Sequence, residues 1–508
     1  MAPSPSPSIF GHPSHRNLRL LTSFTDILKL VLYLILFLVP KQPVVSQSII
    51  KNLPGFPGNL PFKLETGYVG VGYLEEVQLF YYFIESERSP KDDPLLLWLT
   101  GGPGCSALSA LFYEIGPLTF NYANSSGNSP QLLINPYSWT KVANIIFLDA
   151  PVGTGFSYAK TSVGYNIGDL TSASQTYEFL RKWHLDHPKF LSNPLYVSGD
   201  SYSGMTVPII VQIIYNGIKE GDVPLMNIKG YVLGNPFTDV KTDLNSRIIF
   251  AHREGLLSKQ LYESTKINCK GEYMRPDTNN SLCMGDLEVV NKVNIILISR
   301  AWKKYICLKC WNQSVVHSLP KPIGHPSFLQ GEHSMDVHLS TPQLLGQWCR
   351  VNVLSSNYNY LWSYIWANDQ TVQKALNVRE GTIKEWERCN SSFSSTYVHD
   401  IITSIDYQRN LTRITTYRAL IYSGDHDMVI PYVGTQEWIE SLGLSLSNDW
   451  EPWFVDGQTA GYNLMYSLKK YSLTYVTVKA RGAGHTAPEY RPKECLAMID
   501  RWFAYYPL

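Results

Sequence analysis

The chain is short of charge. Charged residues make up 17% of its 508 positions, against roughly 25% in ordinary soluble proteins. The two signs nearly cancel, with 43 Lys and Arg against 42 Asp and Glu, a net of +1. A protein that grips nucleic acid needs a basic field, so no nucleic-acid partner is expected. The chain also lacks an apolar stretch of membrane length. The run Val31–Val39 (VLYLILFLV) falls short of the roughly 20 residues that a spanning helix needs. Hydrophobic residues are nonetheless 44%, enough for a large core, which excludes wholesale disorder. The length corresponds to about three average domains, or to one enzyme domain carrying insertions.

That short apolar run follows Arg16, Arg19 and Lys29 and precedes Val44-Val45-Ser46. A positive segment, a short apolar segment and small residues in that order predict a cleaved signal peptide over residues 1–46, with a signal anchor as the competing reading. The mature chain is then expected in the secretory pathway, in a vacuole or outside the cell, with no stable membrane insertion after cleavage. Asn-x-Ser/Thr triplets at Asn124, Asn279, Asn312, Asn390 and Asn410 and an even count of eight cysteines agree with that route.

Short apolar runs ending in Gly, Pro or Asp recur along the chain: Leu95–Leu99, Ile145–Leu148, Leu195–Val197, Gly230–Leu233, Ala419–Tyr422 and Tyr475–Val478. Runs of this kind read as buried strands. An antiparallel pair near Lys63–Val71 and Glu76–Ile84 precedes them, and helical periods at Ser172–His184 and Met205–Ile218 lie between them. The alternation predicts an α/β fold with a mostly parallel central sheet and helices on both faces. Chemistry in such sheets gathers at the carboxyl ends of the strands.

Three of those ends carry reactive residues. Gly199-Asp200-Ser201-Tyr202-Ser203-Gly204 follows one strand and opens a helix, the setting of a nucleophile elbow that presents Ser201 and frees the Tyr202 N–H. Asp425-His426-Asp427 follows another, and His485 follows the last. The order Ser, Asp, His is that of the α/β-hydrolase triad. Asp427 is the expected acid because it sits further past the strand, with Asp425 as runner-up. The first strand ends in Thr100-Gly101-Gly102-Pro103-Gly104, a loop that in this fold supplies the second oxyanion donor, so Gly102 and Tyr202 are the expected pair.

The stretches WLTGGPGCSAL, YEIGP (113–117), IIFLDAPVGTGFSY (145–158), GDSYSG, WANDQTVQKALNVREGTIKEWERCN (366–390), YSGDHDMVIP and GAGHTAPEYRP together resemble the serine carboxypeptidases, and within them the plant serine carboxypeptidase-like acyltransferases. The resemblance covers about residues 50–292 and 347–508. It implies an α/β-hydrolase fold with a core over 47–235 and 351–508, an insertion or lid over 236–350, and an acyl-enzyme mechanism without metal or cofactor. It also implies disulfides Cys105–Cys389 and Cys269–Cys283. In the peptidases an Asn and two Glu hold the substrate's terminal carboxylate beside the Gly-Gly pair. Here those positions read Thr100, Asp200 and Glu114, next to Gly101, and the wording GDSYSG is closer to the acyltransferase branch. The resemblance therefore implies transfer of an acyl group from a 1-O-acylglucose to an alcohol acceptor, with carboxypeptidase action as the alternative.

One segment departs. Residues 293–346 carry no family pattern, and a cysteine expected near Lys292 is absent. Cys307 and Cys310 form a C-x-x-C with His317 and His325 downstream, but this spacing fits no standard zinc finger. The blander readings are an irregular surface insertion or retained non-coding sequence, and the second is preferred. Cys349 and Cys495 have no assigned partner.

Overall fold

A computed structural model describes residues 47–123, 125, 130–300, 360–479 and 483–508, with the backbone alone for 293–300. Its strands in chain order are β1 (Ser48–Ile50), β2 (Leu64–Val71), β3 (Val77–Ile84), β4 (Leu95–Leu99), β5 (Leu118–Phe120), β6 (Leu132–Ile134), β7 (Asn144–Leu148) and β8 (Tyr158–Ala159). There follow β9 (Leu195–Asp200), β10 (Ile228–Gly234), β11 (Arg418–Gly424), β12 (Ser445–Leu446), β13 (Glu451–Val455), β14 (Gln458–Leu468) and β15 (Tyr471–Val478). Apart from the β5–β6 hairpin they form one sheet, whose main path runs β1-β2-β3-β7-β4-β9-β10-β11-β15-β14-β12. The stretch β7-β4-β9-β10-β11-β15 is parallel throughout, and antiparallel strands flank it on both sides.

The parallel strands are apolar at nearly every position because both faces are covered. Leu95, Leu97, Leu99, Val197, Leu233 and Ile421 enter one core. Their neighbours Leu96, Trp98, Tyr196, Val232 and Leu420 enter the other. This is the period of two that a pleated strand imposes. Helices α1 (Asp169–Asp186) and α2 (Ser203–Glu220) cover the first face. Six side chains of α2, Met205, Val207, Ile209, Ile210, Val211 and Ile214, are buried there, each contributing about 1.5–3 kcal/mol. The second face is covered by Trp139, by Trp366 and by Met498, Ile499 and Trp502 of the C-terminal helix Pro492–Phe503. The α/β architecture read from the alternation of runs is the one observed.

Between β10 and β11 the chain leaves the sheet. Asp239 caps helix α3 (Val240–Arg253) by accepting from the Thr242 N–H at 2.7 Å, and Ser258 caps α4 (Lys259–Cys269) in the same manner, each using an orphan donor of the first turn. With α5 (Ser281–Arg300) they build a small core of Ile248, Phe250, Leu257, Tyr273, Leu287 and Val290, closed by Met428 from the turn after β11 and by Val433 from the helix Tyr432–Glu440. Disulfides join Cys269 to Cys283 and Cys105 to Cys389, as the resemblance implied, and Cys495 is buried as a free thiol. Cys307, Cys310, Cys349, His317 and His325 lie outside the described residues, as does most of the atypical segment 293–346.

Candidate active site

The strand β9 carries Ser201 out of the sheet, and α2 starts two residues later. Ser201 adopts φ 54°, a left-handed conformation that is strained for a residue with a Cβ. It is held there on both sides: its N–H donates to Gly234 O at 2.9 Å, and its carbonyl accepts from Phe237 N–H at 2.8 Å and Gly204 N–H at 3.0 Å. Space is as tight as the turn is sharp. A Cβ on Gly199 would meet Leu99 O at 2.3 Å, and one on Gly101 would meet Ser201 Cβ at 2.5 Å and Tyr202 N at 2.8 Å. Small residues are needed here because β4, β9 and the head of α2 converge.

Ser201, His485 and Asp427 are brought together from three strand ends. Ser201 Oγ lies 2.7 Å from His485 Nε2, and His485 Nδ1 lies 2.7 Å from Asp427 Oδ2. Asp427 is 1% exposed and His485 23%. Asp425, the runner-up, does not reach His485; it pairs with the neighbouring His426 at 2.7 Å. Asp427 is fully partnered. Its Oδ1 accepts from Val429 N–H at 2.7 Å and its Oδ2 from Asn235 Nδ2 at 2.7 Å. Burial alone would lower the pKa of His485. The Asp427 carboxylate, by charge and hydrogen bond, and then Asp200 outweigh burial, so the imidazole is raised above 6.5, with Arg247 opposing.

The loop after β4 is anchored rather than free. Asp149, wholly buried at the end of β7, accepts from Ser106 Oγ at 2.7 Å, Ala107 N–H at 2.9 Å and Phe156 N–H at 2.9 Å. Burial pushes its carboxyl up to about 6, against the pull of those three donors. On the other side, Ser106 N–H donates to Arg388 O and Asn390 N–H to Gly104 O, around the Cys105–Cys389 disulfide. The N–H groups of Gly102 and Tyr202 have no acceptor among the described residues. The Tyr202 side chain is fixed too, its hydroxyl donating to Asp169 Oδ1 at 2.9 Å.

The four residues expected around the substrate are all buried. Gly101 N–H donates to Asp200 Oδ1 at 3.2 Å. Burial, opposed by His485 and that N–H, raises Asp200 to about 6. Glu114 is raised well above its ordinary value by burial and then by the charges of Asp200 and Glu489, with Arg388 opposing. Glu114 Oε2 is buried without a partner, and no hydrogen bond joins it to Asp200. The Thr100 hydroxyl is buried and unpartnered, and the residue lines a cavity of about 20 Å³ with Gly101, Pro103, Tyr202, Ser203 and Tyr397, room for about one water.

Sequence reasoning missed Asp149, which directly follows a predicted strand, and Asn235, two residues past another. It also missed Glu489, buried near Glu114 and accepting from Thr486 Oγ1 at 2.7 Å and Tyr360 OH at 2.8 Å. None of the three is of a type that a triad requires at its place in the chain; their partners identify them only once the strands are in order.

A parallel sheet with helices on both faces, a strained serine between strand and helix, and a serine–histidine–aspartate series at the carboxyl ends define an α/β-hydrolase. The chain belongs to the serine carboxypeptidase family, whose pattern matches residues 54–505. It is 47% identical over 485 residues to Serine carboxypeptidase-like 1 of Arabidopsis thaliana, covering 95% of this chain and 99% of that one. It is 46% identical over 486 residues to Serine carboxypeptidase-like 2 of the same plant, covering 96% and 99%. Among solved structures it is similar to a prohormone-processing carboxypeptidase from Saccharomyces cerevisiae, with a TM-score of 0.63 at 18% identity over 90% of this chain and 95% of that one.

Proposed function

We propose that this chain is an acyltransferase that moves an acyl group from a 1-O-acylglucose to an alcohol through a Ser201 acyl-enzyme. His485 Nε2 takes the Ser201 proton as Oγ attacks the ester carbonyl, and Asp427 steadies the imidazolium. The N–H groups of Gly102 and Tyr202 hold the oxyanion, each contributing about 3 kcal/mol to the transition state. Glucose leaves with the proton from His485. The acceptor hydroxyl then gives its proton to His485, attacks the acyl carbon and releases Ser201.

The observation that carries the choice of donor is the pair of buried acids beside the nucleophile loop, Asp200 and Glu114, with Glu114 Oε2 unpartnered. Sugar hydroxyls donate to such oxygens, whereas a peptide's terminal carboxylate would be repelled by them. The competing reading, a carboxypeptidase, draws on one feature of the same pair. Both acids are raised, and a carboxyl that keeps its proton can donate to a carboxylate.

The accompanying proposals are a leader over 1–46, a lid over 236–350 between core parts 47–235 and 351–508, and residence in a vacuole or outside the cell. Two disulfides support the secretory route, and among the described residues no helix is long and apolar enough to cross a membrane. The test is incubation of the purified protein with acylglucoses and alcohols, with products identified by mass. Efficient release of the C-terminal residue from a blocked dipeptide, with acylglucoses ignored, would overturn the transferase reading.

A further inference from the structure

Helix α3 belongs to the segment outside the sheet, yet one of its side chains reaches the catalytic turn. Arg247 donates from Nε at 2.9 Å and from Nη2 at 2.7 Å to Val429 O. Val429 is the residue whose N–H donates to Asp427 Oδ1. A guanidinium that grips one carbonyl with two donors fixes the peptide in direction as well as position. The carbonyl that Arg247 holds and the N–H that Asp427 accepts flank one Cα, that of Val429, so the grip bears on the residue that begins the chain ending at Ser201: Val429 N–H, Asp427, His485, Ser201 Oγ.

We infer that Arg247 is a positioning residue of the reaction, tying α3 to the Asp427 turn and keeping a positive charge beside His485. The inference rests on the Ser201 acyl-enzyme reading. Two consequences separate the roles of the fork and the charge. Without the fork, the 427–429 turn loses its outer clamp and Asp427 orients His485 less well. Without the charge, the imidazolium is stabilised by Asp427 and Asp200 unopposed, so the neutral base is present only at higher pH.

The groups facing His485 are few enough to name. They are Asp427 from the turn after β11, Asp200 from the end of β9 and Arg247 from α3; Glu489, in the short helix Ala487–Tyr490 that follows His485, is taken up by Thr486 and Tyr360. Asp425 and His426 satisfy each other. On α3, Asp243 lies one turn before Arg247; its carboxylate is buried and accepts from Thr238 and Asp239 N–H at 2.6 and 2.9 Å. Among these groups Arg247 is the one whose charge lowers His485.

The test needs no natural substrate. Diisopropyl fluorophosphate reacts with an activated serine: the Oγ–P bond forms, the P–F bond breaks, fluoride leaves and the serine proton passes to His485. The labelling rate of the full chain is measured across pH for the wild type, Arg247→Gln and Arg247→Lys, with Ser201→Ala as the control for the labelled residue. Arg247→Gln is expected to label about ten-fold more slowly or worse, with the rising limb moved to higher pH. Arg247→Lys is expected to keep the wild-type midpoint but recover the rate only in part, because an ammonium lacks the planar fork. Should Arg247→Gln fail to fold, a slowed Arg247→Lys with an unmoved midpoint carries the inference. Wild-type rate and midpoint in the folded variants would overturn it. A wild type unlabelled at Ser201 would sink the acyl-enzyme reading itself, and the inference with it.

Discussion

Asn235 Nδ2 donates at 2.7 Å to Asp427 Oδ2, the same oxygen that faces His485 Nδ1 at 2.7 Å. Asn235 is itself pinned, its N–H on Tyr422 O and its Oδ1 receiving Gly424 N–H, in a left-handed conformation at φ 42° that Asn tolerates better than most residues. Its amide therefore decides which oxygen of Asp427 is presented to the imidazole. Asn235→Ala is expected to lower turnover by roughly ten- to a hundred-fold, the range of losing a buried hydrogen bond to a charge. An unchanged turnover of the folded variant would show that Asp427 needs no such guide.

Ser201→Gly separates catalysis from strain. The nucleophile disappears, so acyl transfer should fall to background. The left-handed turn no longer carries a Cβ, so the melting temperature should hold or rise, with about 1–2 kcal/mol of strain relieved. Transfer retained by this variant would remove Ser201 from the mechanism.

The two aspartates of the 425–427 turn are expected to differ sharply. Asp427→Asn leaves His485 with an amide in place of a carboxylate and should cost on the order of 10⁴-fold in rate. Asp425→Asn disturbs the pairing with His426, which is 43% exposed at its side chain, and should cost little. Kinetics of the two single variants decide it, and the reverse ranking would mean that Asp425 is the acid.

The pH dependence follows from the direction of the His485 shift. The base must be neutral to accept the serine proton, and its pKa in the folded protein is raised above 6.5, burial being outweighed by Asp427. Rate should therefore climb with pH through a midpoint above 6.5 and be lost below it. A limb centred below 6.5, or a flat profile, would contradict this electrostatic account.

Donor choice is expected to respond to Asp200 and Thr100. Asp200→Glu adds the methylene that brings the carboxyl nearer Glu114, and should raise dipeptide cleavage relative to acylglucose transfer. Thr100→Asn added to it should move the ratio further the same way, since an amide offers N–H donors where Thr100 has one hydroxyl. An unmoved ratio in the folded double variant would remove both residues from donor choice.

Much of the scaffold is legible without coordinates, because a strand buried on both faces must be apolar throughout and must stop at Gly or Asp. β4 matches its apolar run residue for residue. β9 and β11 run further than theirs, to Asp200 and Gly424, since backbone pairing such as Asp200 with Gly234 continues after hydrophobicity ends. Ser201, Asp427 and His485 are legible for a similar reason: each follows a strand. Asn235 and Arg247 are not. Asn235 also stands at a strand end, but an amide there names no catalytic role until Asp427, 192 residues away, is placed beside it; Arg247 lies within a helix, 182 residues from Val429, and nothing local announces that contact.

The Cys105–Cys389 bond spans 284 residues, and that span contains every position from 301 to 359. Ser201 lies on one side of that interval, and Asp427 and His485 on the other. A protease cutting anywhere within it would divide the polypeptide into two fragments, neither with a complete catalytic series. They would remain covalently tied beside the oxyanion loop and stitched together by the β10–β11 pairing. Such a nicked protein would run as one species on a denaturing gel and as two once its thiols were reduced, so electrophoresis under reducing conditions alone would mistake an intact enzyme for a broken one.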